Sequence, residues 1–293
     1  MLGEALALSA ALTWAVSVIL FKRSEEVPPQ GLNLFKNVVA LGLLAVTMLL
    51  LGHGFALERS GADWLRLALS GLLGIAVADT LFFMALRRLG PGLLAIVECT
   101  YAPSMVALAM LFLGERPGGS FALGAVLVVL GIVIVTTERK ALVALADPHE
   151  LWPGVAMAVG AVVTMALGVV LAKPVLEASG LVEVTLVRLA AGIVGQLVWV
   201  RAFGTHREAL RVFRPVPVWR WLVPAAVLGS FVSMLLWLGG FKWADASVAA
   251  VLNQMTAVFI IVLGRVILRE PLTPRRITGG VAATAGAIIV VLI

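Results

Sequence analysis

The chain has little of what soluble chemistry requires. Of its 293 residues one is cysteine, one is tyrosine and three are histidine, and charged side chains make up only 13%. A lone Cys99 excludes an intrachain disulfide. The histidines, His53, His149 and His206, lie in predicted loops and form no ligand cluster, and no glycine-rich phosphate loop is present. These absences argue against an enzyme and leave no resident metal or cofactor to expect. Acidic residues are scarce too, 16 against 22 basic ones, for a formal charge of +6. Such a balance can signal nucleic acid, but placement excludes it, because most Lys and Arg flank apolar runs, where they anchor helix ends at lipid headgroups.

What the chain does have is apolar length. Hydrophobic residues reach 61% and the mean hydropathy is +1.08, more than a soluble core can hide. A helix needs about 20 residues to cross the hydrocarbon layer. Ten runs of that order emerge, at 3–21, 32–51, 65–84, 93–113, 121–137, 152–172, 181–200, 222–241, 248–268 and 277–293. The first reads as a retained helix rather than a cleaved leader, since no positive charge precedes it and its counterpart lies mid-chain. Open β-structure is excluded because unpaired backbone groups cannot face lipid.

The chain also repeats itself. Residues 64–136 match 219–291 at an offset of 155, pairing Gly74 with Gly229, Arg87 with Lys242, Glu115 with Glu270, Gly124 with Gly279 and Gly131 with Gly286. Upstream, Thr13 and Lys22 pair with Thr164 and Lys173 at an offset of 151. The expected fold is therefore all-α and integral to the membrane, with ten transmembrane helices as two inverted five-helix repeats, 1–140 and 141–293. An odd number of spans per repeat makes the second enter from the opposite side, an arrangement suited to alternating access. Lys and Arg number 14 in the odd-numbered loops and 4 in the even-numbered ones, with Lys36, Arg66, Arg188 and Arg265 inside runs completing the 22. The positive-inside rule then puts both termini outside.

Polar side chains within the spans are the candidates for a pathway, because the bilayer makes them costly. Lys36, Asp79, Glu98 and Arg188 are the ionisable ones away from the run ends. Counting turns from the helix ends puts Lys36, Asn37, Asp79, Glu98 and Tyr101 at one depth of the first repeat, and Arg188, Asn253 and Gln254 at the matching depth of the second. The repeat aligns Glu98 with Asn253 and Asp79 with Met234, so the acidic pair exists once. Structural roles compete for each: an ion pair of Lys36 with the carboxylates that only joins helices, snorkelling of Lys36, or interhelical glue at Asn253 and Gln254. Either carboxylate could carry a coupling proton. Pro103 inside the fourth span is expected to kink it as a hinge. Glycines at seven-residue spacing in the fifth and tenth spans suit close helix packing, so these two read as scaffold.

Residues 102–135, APSMVALAMLFLGERPGGSFALGAVLVVLGIVIV, resemble the end of an EamA domain of the drug/metabolite transporter superfamily. The matching features are Pro103, the Gly114–Glu115 pair closing the fourth helix, and Gly124 and Gly131 in the fifth. The second copy keeps Glu270, Gly279 and Gly286, but has Arg269 before the glutamate and no equivalent proline. Lys36 and Arg188 resemble the basic residue often present in the second helix of each repeat. The resemblance implies a ten-helix permease of the inner or plasma membrane that moves small metabolites, often amino acids, outward, with both termini cytoplasmic. That orientation is opposite to the one the charge count gives. Glu115 and Glu270 are expected to be structural, stabilising the next helix N-terminus.

The reading is a secondary active transporter, an exporter of a small metabolite such as an amino acid, monomeric or homodimeric and surrounded by membrane lipids. An organic-anion or phosphate-ester exchanger is the nearest alternative. An integral-membrane lipid-handling enzyme is the alternative of another class.

Overall fold

The computed structural model describes residues 1–24, 27–52, 54, 58–136, 148–214, 217–267 and 273–292. Among them every regular element is helical, as a chain in lipid requires if each backbone N–H and C=O is to be satisfied within its own segment. In chain order the helices are α1 (Leu2–Lys22), α2 (Pro29–Leu50), α3 (Gly61–Gly71), α4 (Ala78–Glu98), α5 (Tyr101–Phe112), α6 (Gly119–Thr136) and α7 (Pro148–Ala178). There follow α8 (Leu181–Ala202), α9 (His206–Arg211), α10 (Trp219–Ala226), α11 (Ser233–Trp243), α12 (Ala246–Asn253), α13 (Thr256–Ile267) and α14 (Pro274–Leu292). Six stretches are long and apolar enough to cross a membrane: Leu2–Phe21, Gln30–Leu50, Gly61–Phe82, Leu151–Ala178, Leu181–Ala202 and Trp219–Trp243. Shorter apolar helices occupy the positions of the other four expected runs.

The repeat is visible in the irregularities. A π-helical turn, Leu72–Val77, joins α3 to α4, and another, Val227–Val232, joins α10 to α11. The two lie at the sequence offset of 155. The helix stops at Cys99–Thr100 and again at Gln254–Met255, once more at that offset. Pro103 lies one turn after the first break, at the spacing where its ring and missing N–H interrupt a helix. It sits in the first turn of α5, where a missing N–H costs nothing, and the second break forms without any proline. The halves differ as well: α4 runs unbroken to Glu98, whereas its counterpart divides into α11 and α12 at Ala244–Asp245.

Packing is crosswise between the halves. Helix α1 lies on α11, α7 on α4, α2 on α8, and α6 on α14. The α6–α14 seam shows why glycine is needed there. A Cβ at Gly131 would come within 2.5 Å of the Ala283 N and Gly279 O, and one at Gly286 within 2.6 Å of the Gly124 O. No side chain fits such a seam, which matches the scaffold role expected of these helices.

Contacts also fasten helix ends at one face, two of them across the halves and two within the second. The Glu115 carboxylate, in the turn after α5, accepts from the Ala246 N (2.6 Å), the Ser247 N (3.0 Å) and the Ser247 Oγ (2.6 Å), capping the N-terminus of α12. The cap was expected on the next helix; it falls on a helix of the other half. The Lys173 Nζ donates to the Phe241 O (2.8 Å) and Ala244 O (2.9 Å) at the end of α11. Reciprocally, the Lys242 Nζ donates to the Leu176 O (2.5 Å) and Ser179 O (2.5 Å) at the end of α7. The Arg59 Nη2 lies 3.0 Å from the Glu183 Oε2 at the start of α8. Glu270, expected to mirror Glu115, lies outside the described residues.

Candidate functional site

The polar residues within the spans divide into two clusters rather than converging at one level. The first hangs on α2. One turn of that helix presents Asn33, Lys36 and Asn37, all buried. The Lys36 Nζ lies 3.5 Å from the Asp79 Oδ2 at the start of α4 and donates to the Asn37 Oδ1 at 3.2 Å. The Asn37 Nδ2 in turn donates to the Asn33 Oδ1 (3.3 Å) and to the Gln196 Oε1 of α8 (3.2 Å), while the Gln196 Nε2 reaches the Ile75 O at 3.4 Å. Every member of this chain has a polar neighbour, so the buried charge of Lys36 is matched by a carboxylate.

The second cluster surrounds Arg188 on α8. Its Nε donates to the Ser70 Oγ at 2.6 Å, and Ser70 passes the bond on to the Gly168 O of α7. Small residues let the guanidinium thread between helices: a Cβ at Gly74 would meet its Nη2 at 3.5 Å, and Gly168 would strike the Gly74 Cα at 3.0 Å. The Arg188 Cζ stands 6.0 Å from the centroid of the Trp237 ring, which packs edge-on to Phe241 at 5.1 Å. Tyr101, 8% exposed at the start of α5, lies near enough to the guanidinium for the two groups to interact electrostatically. The Tyr101 Oη and Arg188 Nη1 are both buried without a hydrogen-bond partner.

Glu98 belongs to neither cluster. It closes α4 with its backbone O accepting from the Gln254 Nε2 at 3.1 Å, so the two helix breaks face one another. The Glu98 side chain is exposed. Beside Gln254, the Asn253 Nδ2 is buried and unpartnered. Pairing of Asp79 with Lys36 and the depth of Arg188 follow from counting turns. Asn33, Ser70 and Gln196 do not, since a short polar residue in an apolar run carries no signal of what it faces. Among the described residues, no group of three or more His, Cys, Asp or Glu could hold a metal ion.

Apolar spanning helices around buried charged and amide side chains define a multi-pass membrane protein with a polar interior. The chain matches the EamA-like transporter family over residues 1–137 and 152–292, one copy in each half, and belongs to it. It is accordingly a drug/metabolite-type membrane transporter. A protein known from a crystal structure superposes with a TM-score of 0.84 over 99% of this chain and 96% of that one, at 18% identity, which speaks for the fold alone. No curated protein matches the chain.

Proposed function

We propose that this protein is a secondary active transporter that carries a small metabolite outward across the cell's inner membrane by alternating access. Its ten spans form two inverted five-helix repeats, as monomer or homodimer. The observation that carries the reading is the pairing of helix breaks at Cys99–Thr100 and Gln254–Met255, one from each half, bridged by the Gln254–Glu98 bond and flanked by buried polar groups. Broken helices at a repeat interface are where membrane transporters place substrate. Crosswise packing supports it, because one half can rock against the other while the α6–α14 seam holds.

In this reading the substrate sits between spans two to four and seven to nine. Asp79 and Glu98, the carboxylates farthest from the span ends, carry the coupling proton. Glu98 takes it from the cavity, and Asp79 trades it against the Lys36 pair. Purified protein in proteoliposomes, offered a metabolite panel with and without a pH gradient, tests both parts. Saturable uptake that collapses with the gradient, and that Glu98→Gln or Asp79→Asn uncouples, is the expected result. Absence of gradient-dependent movement of any solute would count against transport, and full gradient-driven flux in both variants would end the proton assignment.

A further inference from the structure

The two buried cations are satisfied differently. Lys36 has a carboxylate 3.5 Å away and amides besides. Arg188, 1% exposed, has a serine hydroxyl, a distant indole face and, among the described residues, no carboxylate within ion-pairing distance. A guanidinium inside a membrane protein without a counter-charge is costly and marks a place where an anion belongs. Its Nη1 and the Tyr101 Oη, both buried and unpartnered, supply two donors for one acceptor group. Such donors are expensive to leave unmade, and a bound carboxylate would satisfy both.

We infer that Arg188 and Tyr101 form the anion subsite of the transport cavity, binding the carboxylate of a small amphipathic organic acid whose apolar body lies against the Trp237 ring. The inference rests on the transport reading above and narrows its substrate class. Guanidinium geometry suits it: Nε is held by Ser70, which is itself held by the Gly168 O, so the plane is fixed and Nη1 stays free to donate. Trp237 offers a large apolar face beside the charge. The carboxylate could belong to a free acid or to an amino acid; the subsite chemistry is the same for both.

The test is direct binding to purified full-length protein in nanodiscs by calorimetry, with phenylacetate, phenylalanine, phenylacetamide and phenethylamine as probes. Both carboxylates are expected to bind about 10-fold or more tightly than the neutral amide, and the amine not at all. Tighter binding of phenylacetate than phenylalanine identifies a free acid as the source, and the reverse order an amino acid. Tyr101→Phe should weaken carboxylate binding about 5- to 10-fold, and Arg188→Gln should erase the preference over the amide. Arg188→Lys keeps the charge without the fork and should restore part of it, which a purely structural role for Arg188 would not do. If neither carboxylate binds better than the amide, or if Tyr101→Phe and Arg188→Gln both keep the preference, the subsite is overturned. Carboxylate binding without any flux in liposomes would uphold the subsite and sink the transport reading. Flux of other solutes with no anion preference would do the opposite.

Discussion

Lys36 and Arg188 sit about equally deep, each on the second helix of its half, yet one is neutralised by the protein and the other is not. The Lys36 cluster closes on itself through Asp79, Asn33, Asn37 and Gln196, so it resembles a structural joint between α2, α4 and α8 that can be unmade only by moving a proton or a helix. The Arg188 cluster is left open at the Nη1 and at the Tyr101 hydroxyl. A closed network spends its donors within the protein, whereas an open one keeps them for a ligand. The pair therefore sets a closed joint beside an open set of donors, an asymmetry that the sequence repeat does not carry.

The largest effect expected from breaking that contrast is on stability. Lys36→Met strands Asp79 as an uncompensated buried carboxylate, and unfolding in detergent should show a loss of about 3–5 kcal/mol. The double variant Lys36→Met with Asp79→Leu removes both charges and should recover most of that loss. Arg188→Met strands no carboxylate. Its stability should stay within about 1 kcal/mol of the parent, since only the hydroxyl of Ser70 loses a partner. Equal destabilisation by Lys36→Met and Arg188→Met would show that the two cations are held alike and would erase the distinction.

The distinction was only half legible in the sequence. The ten apolar runs, the glycine seam and the depth of each charged residue follow from counting, because length and period govern helices in lipid. Counting gives depth along a helix but not azimuth. Lys36, Asp79, Glu98 and Tyr101 share a level, yet the Lys36 ion pair is made with Asp79. Each π-helical turn adds to the problem, since it shifts the face presented by the residues beyond it, and nothing in Leu72–Val77 announces one. The break at Cys99–Thr100 is announced by Pro103 one turn on, whereas the one at Gln254–Met255 forms without a proline and has no such signal.

A smaller effect is expected at the face nearest the start of α8, on Arg188's side of the membrane. Glu115 caps α12 across the halves with both carboxylate oxygens, and an opening of that face must break the cap. Glu115→Gln keeps the shape but loses the charge at a helix N-terminus, for a cost of about 1 kcal/mol. Hydrogen exchange at the amides of Ala246 and Ser247 should quicken, with little change in the Lys36 cluster. Unchanged exchange at α12 would mean that the cap does not hold this face shut.

The smallest effect distinguishes the same face by its pH dependence. Asp245, exposed between α11 and α12, has its carboxyl held above the ordinary value of 3.8 by partial burial first and by the Glu115 charge second, against the opposing pull of Lys173. An acid with a raised folded-state pKa binds its proton more tightly in the folded protein than in the unfolded chain. Stability then falls as pH rises from about the unfolded value through the folded one, and the loss is complete above both. In Asp245→Asn this decline should disappear from the acid limb of a stability-against-pH curve, leaving the variant slightly more stable than the parent at neutral pH. The Lys36–Asp79 pair is untouched by this substitution. A change in the response of gradient-driven flux to Asp245→Asn would therefore mean that the coupling proton passes through the capped face as well.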